Sequence, residues 1–306
     1  MTLKGADILT AAQFSREQIE TLFTRADELA ARLENGERLH LLDGKLLATV
    51  FSAPSLRTRA SFQAAMQRLD GGVISIDDAQ TTAATRGESF ADVIQSITQY
   101  VDVIVLRHPE IGAARRAAEI ANVPVFNAGD GTGENPTQAL VDLYTLLKEK
   151  PSLDGLRVAV AGDLKNDAAA HSLARALSLF QIEYSFVAPA ALAMPLDITD
   201  GLRERGLLVE ETNDLARCLR RADVIYMTRV QKEWVDAKQY EKLKSFSMLN
   251  RAMVEQTKPG LVVLHPLPRA DEIAGDVDAL PTAAYFRQAR NALVIRMALL
   301  AQVLQA

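Results

Sequence analysis

Hydroxyl and guanidinium groups crowd one short stretch of the chain, residues 51–62, where Ser52, Ser55, Arg57, Thr58, Arg59 and Ser61 follow an apolar run that ends at Phe51. Pro54 turns the chain there, and a helix is expected to start with hydroxyls and arginines in its first turn. Exposed N–H groups at a helix N-terminus, the positive end of its dipole, two hydroxyls and a guanidinium fork make a phosphate cradle. The same residues also suit plain capping by Ser55, with the arginines on a solvated face. Neither a Walker A lysine pattern nor G-x-G-x-x-G occurs, so no nucleotide cofactor is expected.

Four further segments carry candidate groups. Arg107 and His108 close an apolar run, and Pro109 suits the first turn of a following helix. Asn127-Ala128-Gly129-Asp130-Gly131 reads as a glycine loop that permits close backbone approach, and Asn135-Pro136 as N-cap and first residue of a helix carrying Gln138. Arg229, Gln231 and Lys232 follow the apolar run at 224–226. His265-Pro266-Leu267-Pro268-Arg269 makes a rigid loop whose carbonyls can be aimed at a ligand, and in which Leu267–Pro268 suits a cis bond.

Positioning such groups requires strands that end in loops at one side of a sheet. Short apolar runs at 45–51, 73–76, 103–106 and 123–126 alternate with helical patterns near 13–35, 57–69, 88–100, 110–121 and 136–149. Runs without alternation suit parallel strands covered on both faces. The charged, proline-containing stretch 148–152 breaks this series. A second series has strands at 157–161, 183–187, 224–226 and 261–264, with helices near 169–180, 213–220, 248–256 and 283–305. The expected architecture is two doubly wound parallel-sheet α/β domains with the active-site cleft between them. One spans 1–150 and is joined by the C-terminal helix 283–306; the other spans 151–282. Ligands in such sheets sit beyond the carboxyl ends of the strands.

Composition narrows the function classes. Of 306 residues 48% are hydrophobic and 24% charged, which suits a folded soluble chain. Lys and Arg number 34 against 39 Asp and Glu, so no long-range positive field attracts nucleic acid or an anionic membrane. Cys218 has no cysteine to pair with, and the first residues hold no signal-peptide h-region, so a cytoplasmic location is expected. The ligands expected are small anions held by local Arg and Lys clusters.

Together these segments resemble the aspartate/ornithine carbamoyltransferase family over nearly the whole length. The resemblance rests on P-S-x-R-T-R at 54–59, R-H-P-x-x-G-A-A-R at 107–115, N-A-G-D-G at 127–131, Y-M-T-R-V-Q-K-E at 226–233 and H-P-L-P-R at 265–269. Arg229-Val230-Gln231 favours the aspartate branch. The resemblance implies one domain for carbamoyl phosphate and one for the amino acid, with no cofactor and no metal. It further implies a homotrimer in which a loop crosses from the neighbour, and leaves room for a partner subunit. Ser55, Arg57 and Thr58 would hold the phosphate, and Arg107 would bridge phosphate and carbamoyl oxygen. Gln138 and the carbonyls of Pro266 and Leu267 would hold the carbamoyl NH2, and Arg229 and Gln231 the side-chain carboxylate of aspartate.

The chain departs from the implied pattern at working positions. Ala53 stands where the family has Glu, Leu56 where it has Thr, and Asn135 where a His polarises the carbamoyl oxygen. In the crossing loop Thr82 stands for Ser and Arg86 for Lys, two cations of different shape and hydration. Ala168 stands where an Arg takes the α-carboxylate. One lost oxyanion donor costs about 2.7–4 kcal/mol, and an unmatched buried charge roughly 2–5 kcal/mol. The reading that follows is a transferase repurposed for a related acyl phosphate or for an acceptor without the usual α-carboxylate. Its alternatives are a catalytically silent scaffold and an aspartate carbamoyltransferase with compensating contacts.

Overall fold

Two parallel sheets organise the chain, and each forms its own compact unit. The computed structural model describes residues 3–77, 87–232, 235, 237–243 and 248–305. The first unit comprises Met1–Val141 with Arg290–Ala306, and the second Asp142–Ala289. Thr82 and Arg86 lie outside the described residues.

In the first unit, strands β1 (Leu46–Phe51), β2 (Gly72–Asp77), β3 (Val103–His108) and β4 (Val125–Asp130) form an all-parallel sheet in the order β2-β1-β3-β4. Helices α1 (Arg16–Glu34), α2 (Leu56–Arg68), α3 (Phe90–Ile97) and α4 (Ala113–Ile120) belong to it. Strand β1 is buried from Leu47 to Phe51, the pattern of a strand covered on both faces. Ile94, Ile97, Ala113, Ala114 and Ala117 pack on Ala48, Val50, Ile104 and Leu106, and burying each large aliphatic side chain is worth about 1.5–3 kcal/mol. Ser15 opens α1 with a reciprocal cap, its hydroxyl taking the Gln18 N–H while the Gln18 side chain takes the Ser15 N–H.

The second unit orders its strands β7 (Leu208–Thr212), β6 (Glu183–Val187), β5 (Arg157–Ala161), β8 (Val224–Met227) and β9 (Val262–Leu264), again all parallel. Its helices are α6 (Ala168–Leu177), α7 (Leu196–Glu204), α8 (Leu215–Leu219), α9 (Ala237–Leu243) and α10 (Arg251–Glu255). Two helices carry the chain from one unit into the other, α5 (Pro136–Glu149) and α11 (Tyr285–Leu304). Cys218 is buried in the apolar cluster beneath α8, and burial pushes its thiol pKa up. Among the described residues no helix is long and apolar enough to cross a membrane.

Several elements differ from the sequence expectation. Strand β7 was not anticipated because Glu210 and Glu211 interrupt its apolar pattern, which an exposed sheet edge tolerates. The short helices α7 and α9 also lie outside the expected helices; α7 starts directly behind Pro195. Strand β4 continues through Asn127–Asp130, which the glycines had marked as loop. Asn127 can be buried there because its side chain is satisfied: Nδ2 donates to the Leu9 carbonyl at 3.1 Å and Oδ1 accepts from Gly129 N at 2.9 Å. Pro109 does not open a helix; α4 begins at Ala113, behind Gly112 in the left-handed region.

Candidate active site

Each sheet reverses its strand order once, and the candidate residues cluster at those reversals. In the first unit the chain leaves β1 through α2 to β2 on one side, while β3 and β4 lie on the other. The crevice beyond the carboxyl ends of β1 and β3 is therefore the expected ligand position. Phe51 pairs with Arg107 across these strands, and Ser52 N donates to the Arg107 carbonyl at 2.9 Å. Ala53, half-buried, lies between that bond and α2.

Ser55 occupies the cap position of α2, yet its hydroxyl makes no capping bond, so plain capping does not account for it. Thr58 is buried in the first turn and Arg57 is exposed beside it. Leu56, which opens the helix, is 73% exposed, an apolar group at the rim of a polar site. Arg107 lies across β4, with Nη1 donating to the Ala128 carbonyl at 2.7 Å. Gly129 is what permits this: at φ +119 a Cβ would collide with that nitrogen. His108 is buried against Phe90, accepts the Glu110 N–H at Nδ1, and is held below its ordinary pKa by burial.

Asn135 and Gln138 sit at the start of α5, as Asn-Pro in sequence implies. The Asn135 carbonyl accepts from Gln138 N at 3.0 Å, and its side-chain Oδ1 lies 3.5 Å from the Thr137 hydroxyl, which turns the amide nitrogen the other way. An amide N–H so placed is a neutral donor at the position where the resemblance implies a histidine.

In the second unit the reversal falls between β5 and β8. Gly162–Asn166 follows β5, and Thr228–Gln231 follows β8. Thr228 N donates to the Ala161 carbonyl at 2.8 Å, and Gln231 N to Asp163 Oδ2 at 3.0 Å. Asp163 is fully buried, also accepts from Asn166 N at 3.0 Å, and burial pushes its carboxyl pKa up. Asp167 caps α6, Oδ1 taking the Ala170 N–H at 2.9 Å, and its Oδ2 accepts from Gln231 Nε2 at 3.0 Å. Ala168 is the first residue of that helix. Arg229 is half-buried, and Lys232 lies over the ring of Tyr240 at 4.5 Å.

The loop after β9 holds Pro266 and Leu267, both half-buried, with a cis bond between Leu267 and Pro268. His265 anchors it. Its Nδ1 accepts from Leu267 N at 2.7 Å, and its Nε2 donates to Glu272 Oε1 at 2.6 Å, with both side chains buried. Burial alone would raise the Glu272 carboxyl; the bonds from His265 and Ala270 N outweigh it and hold the group below the ordinary carboxylate value. Behind the loop, Gln288 accepts from His265 N at 3.0 Å and donates to Asp142 at 2.6 Å, and Tyr226 donates to the same carboxylate at 2.9 Å. Asp142, Asp163, Asp167, Glu272 and Gln288 are positioning residues that the sequence reading missed. Their only sequence signal was polarity at apolar helix or strand-end positions.

A cavity of about 260 Å³ in the second unit lies elsewhere, lined by Arg157, Glu183, Glu210 and Arg217. These residues pair with one another as Arg157–Glu183 and Arg217–Glu210, and no candidate residue lines the cavity.

The two reversals match the two halves of one family model pair. Residues 6–148 match the aspartate/ornithine carbamoyltransferase carbamoyl-P binding domain, and residues 154–303 the Asp/Orn binding domain. The chain belongs to the aspartate/ornithine carbamoyltransferase family. It is 46% identical over 301 residues to an aspartate carbamoyltransferase catalytic subunit of Thermococcus onnurineus, covering 98% of this chain and 97% of that protein. The corresponding subunit of Chromobacterium violaceum is 47% identical over 297 residues, with 97% of each chain covered. Among solved structures, aspartate transcarbamoylase from Trypanosoma cruzi in complex with N-(phosphonacetyl)-L-aspartic acid is similar at TM-score 0.95 and 40% identity, covering 99% of this chain and 97% of that one. The catalytic subunit of M. jannaschii aspartate transcarbamoylase is similar at TM-score 0.90 and 43% identity, with 97% of each chain covered. These likenesses extend to both sheets and so to both family halves.

Proposed function

We propose that this chain is a carbamoyltransferase that takes its carbamoyl group from carbamoyl phosphate and passes it to the amine of an acceptor other than aspartate. The observation that carries this reading is an asymmetry between the two strand reversals. The first keeps Ser55, Arg57, Thr58 and Arg107 at a helix start and strand end suited to a phosphate, with Gln138 on the next helix. The second keeps Arg229 and Gln231, but α6 begins with Ala168, where the family resemblance implies an Arg for the α-carboxylate. Relatives named as aspartate carbamoyltransferase catalytic subunits support the reaction class, and the solved relative bound to N-(phosphonacetyl)-L-aspartic acid supports a site for a phosphoryl group beside an amino acid.

In this reading residues 1–150 with the helix 283–306 bind carbamoyl phosphate, and residues 151–282 bind the acceptor. The acceptor nitrogen attacks the carbamoyl carbon, the C–N bond forms, the C–O bond to phosphate breaks, and the proton lost by the amine leaves on the departing phosphate. Arg107 and the Asn135 amide stabilise the charge that gathers on the carbamoyl oxygen. The Pro266 and Leu267 carbonyls, with Gln138, orient the NH2 group. Assembly as a cytoplasmic homotrimer belongs to the same proposal.

Incubation with carbamoyl phosphate and a panel of amines, read by mass spectrometry, tests the proposal. Carbamoylation of a non-aspartate amine is expected. Turnover of aspartate at an ordinary enzymatic rate, about 1–10³ per second, overturns the altered acceptor. Absence of product with every amine favours the silent scaffold. The paired substitution Ala168→Arg with Asn135→His should install aspartate carbamoylation.

A further inference from the structure

We propose that Arg296, on the last helix of the chain, is a positioning residue for the phosphate end of the site, acting through the Ser61 hydroxyl on the first turn of α2. This deepens the carbamoyltransferase reading and rests on it for the identity of the phosphate site. The contacts themselves all lie within the first unit, to which Arg290–Ala306 belongs.

Arg296 is 1% exposed, and burying a guanidinium is costly unless its N–H groups are bonded. Its Nη1 donates to the Ser61 hydroxyl, and its guanidinium carbon lies 4.7 Å from the centre of the Phe62 ring, within cation–π range. Phe62 in turn meets Phe126 of β4 edge-on, with ring centres 6.1 Å apart. One side chain of α11 is thus fixed against α2 and, through two rings, against β4. That strand also carries the Ala128 carbonyl that holds Arg107.

A serine hydroxyl has one proton to give, whereas a guanidinium only donates. With Arg296 donating to its oxygen, the Ser61 proton goes to the helix backbone, 2.7 Å from the Arg57 carbonyl and 2.9 Å from that of Thr58. A serine that turns back to a carbonyl three or four residues earlier is common in helices and by itself implies nothing further. Here the carbonyls belong to the two residues assigned to the phosphate, and a buried cation drives the bond. A peptide plane is rigid, so fixing the Arg57 carbonyl fixes the Thr58 N–H on its other side. That N–H is among the helix-start donors that have no acceptor within α2 and that make an anion site. A charged donor also polarises the hydroxyl and strengthens its onward bond. The return of α11 to the first unit therefore sets the direction of the donors at the start of α2.

Calorimetric titration with inorganic phosphate, with urea unfolding followed in parallel, separates positioning from mere support. Arg296→Met keeps a long side chain against Phe62 but offers Ser61 no N–H, and should weaken phosphate binding about 10-fold. Arg296→Lys keeps a cationic donor and should recover most of that loss. Ser61→Ala cuts the same link at its other end and should weaken binding to a similar degree, so it decides the matter if Arg296→Met does not fold. Because the two residues act in series, combining Arg296→Met with Ser61→Ala should be no worse than the weaker-binding single variant. Lower stability with phosphate affinity within about twofold of the unaltered protein overturns the proposal, as do multiplicative losses in the pair or no recovery with lysine. An unaltered protein that binds no phosphate overturns the carbamoyltransferase reading and this proposal together. If phosphate binds with the expected pattern of losses but no amine is carbamoylated, that reading alone fails and the positioning role stands.

Discussion

Replacing Glu272 by Ala should loosen the loop that carries Pro266 and Leu267, and the structure sets the size of the effect. His265 stands between the two: Nδ1 accepts from Leu267 N at 2.7 Å, while Nε2–H is taken by Glu272 at 2.6 Å. Accepting at Nδ1 and donating at Nε2 describes a neutral imidazole whose tautomer the carboxylate selects. Its side chain is 1% exposed and that of Glu272 6%, so water cannot replace the lost partner. Leaving a buried donor unsatisfied costs about 1–3 kcal/mol, equivalent to roughly a 5- to 160-fold change in an opening equilibrium. The Leu267 amide should lose hydrogen-exchange protection by that factor in Glu272→Ala, and by much less in Glu272→Gln, which retains an acceptor for Nε2–H. The pH dependence has a definite sign. The Glu272 carboxyl is held below its ordinary value in the folded chain, so its contribution is present above the ordinary carboxylate range. It is lost as pH falls through the lower folded value. Protection of Leu267 in Glu272→Ala within about twofold of the unaltered protein, or equal losses in both variants, would refute the anchoring argument.

Other outcomes follow from single contacts. Gly129→Ala should destabilise the first unit by about 1–3 kcal/mol, because the residue sits at φ +119 and its Cβ would meet Arg107. Phosphate titration of that variant should show weaker binding as the guanidinium is displaced, and unchanged affinity would contradict the placement of Arg107. Leu56→Thr replaces an apolar side chain that is 73% exposed with a hydroxyl donor at the helix start, and should tighten phosphate binding about 10-fold with little change in melting temperature. Tyr226→Phe removes a buried donor from Asp142 and should cost about 1–3 kcal/mol in urea unfolding, whereas a neutral effect would show that the bond from Tyr226 adds nothing to what the carboxylate keeps.

The architecture is legible in the residues, because a parallel strand covered on both faces must be a short apolar run and few other segments look like one. Strands β1, β5 and β9 were legible for this reason. So were the segments that carry chemistry, since helix starts and strand ends announce themselves through Pro, Gly, Asn and Ser. Strand β7 was not legible: at an edge, burial no longer constrains its side chains, and Glu210 and Glu211 are tolerated. The extension of β4 through Asn127–Asp130 was hidden as well, because Asn and Gly read as loop until Leu9 and Arg107, distant in sequence, satisfy one and fill the space left by the other. The site divides in the same way. Residue types and spacing picked out Arg57, Arg107 and the segment with Arg229 and Gln231 as candidates, and the family resemblance marked Ala168 as a departure. That Ser55 is not spent on its own helix, that His265 is fixed by Glu272, and that Asp167 accepts from Gln231 emerge from the folded chain alone. Each of those depends on where a hydrogen-bonding group is aimed. A sequence records which donors and acceptors exist, and burial then obliges each to find a partner, but the partner is chosen by the packing of strands far apart along the chain.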